Sequence, residues 1–172
     1  MKCELNPRVS SGDWKEFCSR FHFPLEELPN IQAIYKALLP LMESYAYYSL
    51  NQDLKEVSFS HYAYGFVTLG NGMDELSELY LNHEQIQEAY IVDCISLMLL
   101  SKAYEEFAHV VEEQSGLYLT ELSFLGDTYS MDLLPQIYEH LAPDTIQLTE
   151  GQMLRPLKTA TLILHLDTEI HA

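Results

Sequence analysis

The sequence predicts an α+β fold, a single domain in which a small twisted antiparallel sheet is packed by long helices. Three observations lead there. Stretches that read as strands occur at residues 57–69, 117–124, 146–148 and 159–166, the first and last with clear period-two alternation. Between them lie stretches with apolar residues every three or four positions, the longest over 84–114. No internal repeat, low-complexity tract or linker rich in Pro, Gly or Ser divides the 172 residues. That length is enough for one domain with a real core.

Each element has its own justification. Residues 13–23 fit either a helix or a strand; Asp13 suits an N-cap, and Pro24 stops whatever precedes it. Ile31, Ile34, Leu38, Leu41 and Tyr45 recur at three or four, which predicts a helix over 28–50. Pro40 should kink it, because its ring removes the bond to the Lys36 carbonyl. Residues 1–56 therefore read as a helical N-terminal part, and 57–172 as the sheet and long-helix core. In the strand over 57–69, Val57, Phe59, Ala63, Val67 and Leu69 share one parity and the Tyr-rich residues the other, so both faces should be partly covered. Gly70-Asn71-Gly72 ends it, and a short helix follows over 73–81. The long helix carries Ile86, Ala89, Tyr90, Leu97, Leu100, Tyr104, Phe107 and Val111, and Gly116 suits its C-terminal cap. Its Leu97, Leu100, Tyr104 and Phe107 face is expected on the sheet. Residues 117–124 form a second strand, Gly126-Asp127 a turn, 131–141 a short helix and 146–148 a brief strand. The last strand, 159–166, puts Ala160, Leu162, Leu164 and Leu166 on one face.

Charge narrows the function. With 26 acidic against 9 basic residues, the formal net charge is −17. That argues against a nucleic-acid partner and against anionic lipid, both of which need clustered Lys and Arg. It is compatible with simple solubility or with steering toward a basic surface. No apolar run reaches the roughly 18–20 residues of a membrane span, and the first residues hold no signal-peptide core, so a cytoplasmic protein is expected. Cys3, Cys18 and Cys94 form no Cys-x-x-Cys pair, and Cys94 reads as a small core residue. His165 and His171 flank a tail that could chelate a metal, but such spacing is common in chain ends and no metal site is expected.

No nucleophile elbow, P-loop or Cys-His signature appears. Gly-x-Gly at 70–72 lacks the third Gly of a dinucleotide fingerprint. The residues leave open whether the chain is an enzyme. Asp93 stands out, a mid-helix carboxylate between Ile91-Val92 and Cys94-Ile95, where partial burial would demand a hydrogen bond or a cation.

The stretch "LTEGQMLRPLKTATLIL", residues 148–164, resembles the Leu-Thr-Glu-Ser segment of the activation domain of vitamin B12-dependent methionine synthase. Leu148, Thr149, Glu150 and Pro156 match; Gly151 and Thr159 stand where that family has Ser, and Met153 lies near its Met. Upstream, Thr68-Leu69-Gly70 and the Ala89-x-x-x-Asp93 spacing are similar to stand-alone relatives of that domain, so the likeness covers about residues 64–166. The resemblance implies a domain that binds S-adenosylmethionine (AdoMet) and faces a cobalamin carried by a partner, either a corrinoid protein or a cobalamin-dependent methyltransferase. It implies a role in reductive reactivation, with the cofactors carrying the chemistry. Aligned on Gly126, however, the family's Arg-x-x-x-Gly-Tyr segment keeps only the Gly, with Leu122 at the Arg and Asp127 at the Tyr. The carboxylate clamp is thereby lost. The residues implied at the ligand site are Gly126, Asp127, Glu150 and, as substitute clamp, Arg155. Three readings stay open: a reactivation partner with a weakened AdoMet site, a methyltransferase-type catalytic unit, or a degenerate, non-catalytic interaction domain of the same fold; the chain is short for the second and lacks the Asp-x-His-x-x-Gly signature of corrinoid-carrying domains.

Overall fold

The computed structural model describes residues 1–169. Five strands form one antiparallel sheet: β1 (Lys2–Glu4), β2 (Tyr45–Ser49), β3 (Tyr62–Thr68), β4 (Tyr118–Phe124) and β7 (Thr159–Asp167), in the order β1-β2-β3-β7-β4. Two short strands, β5 (Gln147–Leu148) and β6 (Leu154–Arg155), make a separate hairpin. The helices are α1 (Asp13–Phe21), α2 (Leu28–Leu38), α3 (Gly72–Asn82), α4 (Ile86–Ser115) and α5 (Leu134–Leu141). The expected α+β fold is borne out, with the strands over 62–68, 118–124 and 159–167 sharing one sheet.

Both faces of the sheet are covered. On one, Ala46, Tyr48, Ala63, Val67, Leu162 and Leu164 meet α1, α2 and α4 in the main core. On the other, Tyr47, Tyr62, Tyr64, Phe66 and Ile163 meet α5 and the loop residues Leu54, Val57 and Ile146. The central strand β3 is buried at every position, the consequence of its mixed apolar and Tyr faces. Gly116 caps α4 in the left-handed conformation, and its N–H donates to the Glu112 carbonyl, as a Gly after a long apolar helix should.

Four sequence expectations need correction. Residues 28–50 are not one kinked helix: α2 ends at Leu38, Pro40 lies in a 3-10 turn over Leu39–Leu41, and residues 45–49 are β2. Pro40 stops the helix outright, and the Tyr-Ala-Tyr-Tyr run beyond it pairs with β3 instead. Residues 1–56 are therefore not simply helical; they supply two of the five sheet strands. The strand expected over 57–69 begins only at Tyr62; residues 57–60 are a covering loop that buries Val57 in the second core and lays Phe59 over His165. Finally, Leu97 does not face the sheet. It is 46% exposed, while Leu100 at 8% and Phe107 are buried and Tyr104 is half-buried. The helix rotates Leu97 out because its core face is carried by Val92, Ile95, Leu99 and Ala103.

Candidate functional site

The hairpin places the site. Thr149 closes its loop three times: its N–H donates to the Met153 carbonyl at 2.9 Å, its carbonyl accepts from Gln152 N–H at 3.0 Å, and its Oγ1 accepts from Met153 N–H at 3.1 Å. The loop then returns to the sheet through residues 156–158, pinned on two sides. Leu157 N–H donates to Asp74 Oδ2 on α3 at 2.8 Å, and Lys158 Nζ pairs with Asp93 Oδ1 on α4 at 3.2 Å. Leu69 N–H donates to the Lys158 carbonyl at 3.0 Å, and Thr159 Oγ1 donates to Thr68 Oγ1 at 2.8 Å. The Thr68-Leu69-Gly70 end of β3 thus fixes where β7 begins.

The turn after β4 faces this hairpin. Gly126 takes φ +87°, a conformation open to Gly at little cost, and its N–H donates to the Tyr129 carbonyl at 2.7 Å. Between turn, hairpin and the start of β7 lies an open cavity of about 370 Å³. Its walls include Phe124, Leu125, Met131, Met153, Leu157 and Thr161. Gln152, Thr159 and Thr161 are its polar side chains, and none of its lining residues is charged. An uncharged, largely apolar depression favours neutral or apolar groups and penalises an unpaired charge.

The residues expected at the site divide. Gly126 and Asp127 sit in the turn beside the cavity, and Glu150 in the hairpin loop, but all three are exposed and none lines the wall. Arg155 does not line it either. It borders a separate depression with Glu43, Asn71, Asp144, Thr145, Gln147 and Pro156. Strand alternation explains this, since Leu154 lines the cavity and its neighbour points the other way. Leu122, at the position of the family's Arg, packs against the main core. Asp93 is not a buried polar group: its side chain is 50% exposed and paired with Lys158. Met131 and Leu157, apolar residues left exposed beside the cavity, are the signal that sequence reasoning passed over, and Met153, noted only as lying near the family's Met, is exposed as well.

Two polar clusters lie on the α5 face of the sheet, the face of the second core. Tyr64 donates its hydroxyl to Asp53 Oδ1 at 2.8 Å, with His140 Nδ1 3.1 Å away; burial, with the Asp53 carboxylate adding, pushes the Tyr64 pKa up to about 12. His165, 1% exposed, has Nε2 within 3.3 Å of Ser123 Oγ and 3.2 Å of Tyr129 Oη. Burial pushes its imidazole below the ordinary value, opposed by Glu121. Among the described residues, no group of three or more His, Cys, Asp or Glu is placed to hold a metal ion; His171 lies outside them. Nor is any helix among them long and apolar enough to cross a membrane.

No family model matches the sequence, and no curated protein matches it. Among solved structures, a crystal structure of the MetH reactivation domain bound to AdoHcy matches with a TM-score of 0.67 and 12% sequence identity, over 100% of this chain and 80% of that one. The chain therefore has the fold of the MetH reactivation domain.

Proposed function

We propose that this chain is a binding module of the reactivation-domain type, a partner of a corrinoid protein or cobalamin-dependent methyltransferase, with a weakened AdoMet site and no catalytic side chain of its own. The observation that carries the reading is the open cavity between the Gly126 turn and the 149–153 hairpin, in a fold that matches a domain solved with AdoHcy. Such a module binds and orients, while the cofactors supply the chemistry. The weakening follows from charge. The amino-acid end of AdoMet carries a carboxylate and an ammonium, and the cavity lining offers neither a cation nor an anion. Asp127 and Glu150, both exposed beside the cavity, would serve the cationic groups; the carboxylate lacks its clamp.

Calorimetry with AdoMet and with AdoHcy tests this. The expected dissociation constant is in the high-micromolar range or weaker, a binding free energy of about 6 kcal/mol or less. Arg155→Ala should leave it unchanged, because Arg155 borders another depression. Sub-micromolar affinity would overturn the weakened-site reading. Co-elution with a cobalamin-loaded methionine synthase fragment tests the partner. Failure of both would leave the third reading, an interaction-only domain, which the uncharged cavity and its exposed Met131, Met153 and Leu157 favour.

A further inference from the structure

The long helix exposes a second apolar face. Ile86, Tyr90 and Leu97 are all exposed, and at spacings of four and seven they lie in one line along α4. Asp93 belongs to the same line and carries the Lys158 ion pair. Tyr104, two turns beyond Leu97, continues it and packs edge-on against Phe124 with ring centroids 5.3 Å apart. Phe124 is a wall of the cavity, and Leu157, next to Lys158, is another. The stripe on α4 and the mouth of the cavity are therefore joined twice, through Tyr104–Phe124 and through Asp93–Lys158–Leu157. Met131, Met153 and Leu157 extend the exposed apolar surface around that mouth.

We propose that this stripe and cavity mouth form one docking surface, and that its occupant is a basic segment of a partner protein, apolar along one side and flanked by Lys or Arg. The inference rests on the reading of the chain as a binding module, but not on which cofactor the partner carries. The charge around the surface selects the occupant. Residues 72–105, which hold α3 and most of α4, contain seven carboxylates (Asp74, Glu75, Glu78, Glu84, Glu88, Asp93, Glu105) and one lysine, Lys102. Lys158, the cation at the centre of the surface, is taken up by Asp93. A second copy of this chain would set carboxylate rim against carboxylate rim, and like charges disfavour that pairing. A basic flank meets the rim with complementary charge, while its apolar side chains cover the stripe and enter the uncharged cavity.

The test uses the full chain and a fluorescent 18-residue helical peptide of Leu and Lys, apolar along one side, with a Leu/Glu peptide of the same pattern as control. Fluorescence anisotropy should show binding of the Leu/Lys peptide and none of the Leu/Glu peptide. Leu97→Asp and Met153→Asp should each weaken it tenfold or more, although each adds a negative charge that would by itself attract the peptide. Tyr118→Asp, an exposed site at the opposite end of β4 from Phe124, should leave affinity unchanged or slightly raised. Affinity unchanged in Leu97→Asp and Met153→Asp, or lost equally in Tyr118→Asp, would overturn the proposal. So would a dimer in sedimentation velocity that Leu97→Asp dissolves, since the occupant would then be a second copy. Peptide binding that passes these controls, with neither AdoMet nor a cobalamin-loaded fragment bound, would retain the docking surface and remove the corrinoid reading.

Discussion

His165 is the residue whose environment makes the sharpest demand. It is buried on β7, under Phe59 at a ring distance of 3.8 Å and beside Tyr129. Its Nε2 has hydroxyl neighbours, while its Nδ1 is buried without a hydrogen-bond partner among the described residues. A cation there would be poorly solvated, so folding holds the ring neutral and its pKa low. The linkage has one sign. The unfolded chain takes up a proton near the ordinary value of about 6.5, and the folded chain does so only at lower pH. The contribution is fully present above about 6.5 and is lost as pH falls from there toward the folded value. Urea midpoints at about pH 7.5 and pH 5.5 should therefore fall more for this protein than for His165→Gln, which cannot titrate. An equal fall in both would show that the ring does not control the response. Gly72 makes a different demand. A Cβ there would lie 2.1 Å from the Leu41 carbonyl oxygen, a backbone atom. Gly72→Ala must then separate α3 from the turn after α2, and should cost about 2 kcal/mol or more in a denaturant titration.

Among the elements, α4 shows how periodicity misleads. Its sequence carries apolar residues almost all round, because one face packs on the sheet and part of another is left exposed. The summed pattern reads as one broad stripe, which is how Leu97 came to be grouped with Leu100. The structure separates them, and truncation should too. Leu100→Ala should cost about 2–5 kcal/mol, as buried Leu truncations do. Leu97→Ala should change stability by less than about 1 kcal/mol, as exposed sites do. Similar losses at both would mean that Leu97 is also packed. The strands β3, β4 and β7 were legible because each has turn signals at one end or both and length enough to alternate. β2 was not. Tyr45 extends the three-and-four spacing of α2 by accident, and only its pairing with β3 makes residues 45–49 a strand. β1, three residues long, has no period to read.

At the scale of the whole molecule, the candidate site was legible as a place and not as a set of side chains. The segment 148–164 pointed to the hairpin and to the start of β7, both of which border the cavity. Which residues line the wall depends on strand alternation after a five-residue loop, so Leu154 turned in and Arg155 away. The contribution of Phe124 and Met131 depends on β4 lying beside β7, a pairing between residues about forty positions apart. Charge is the global property that sequence states outright, and it carries a prediction. At net −17 the folded chain repels itself, and each of the Lys ion pairs among its described residues keeps at least part of both side chains in solvent. Such pairs contribute little, while the self-repulsion is long-ranged and is relieved in the expanded unfolded chain. Salt shortens the reach of that repulsion from about 30 Å at 0.01 M to about 8 Å at 0.15 M. Raising NaCl from about 0.01 M to about 0.15 M at neutral pH should therefore raise the urea midpoint, the opposite of what a fold held by ion pairs would do. A midpoint that falls with salt would show that Asp93–Lys158, Lys2–Asp144 and the pairs of Lys102 outweigh the repulsion, and that the surplus of acid is distributed so that it does not oppose folding.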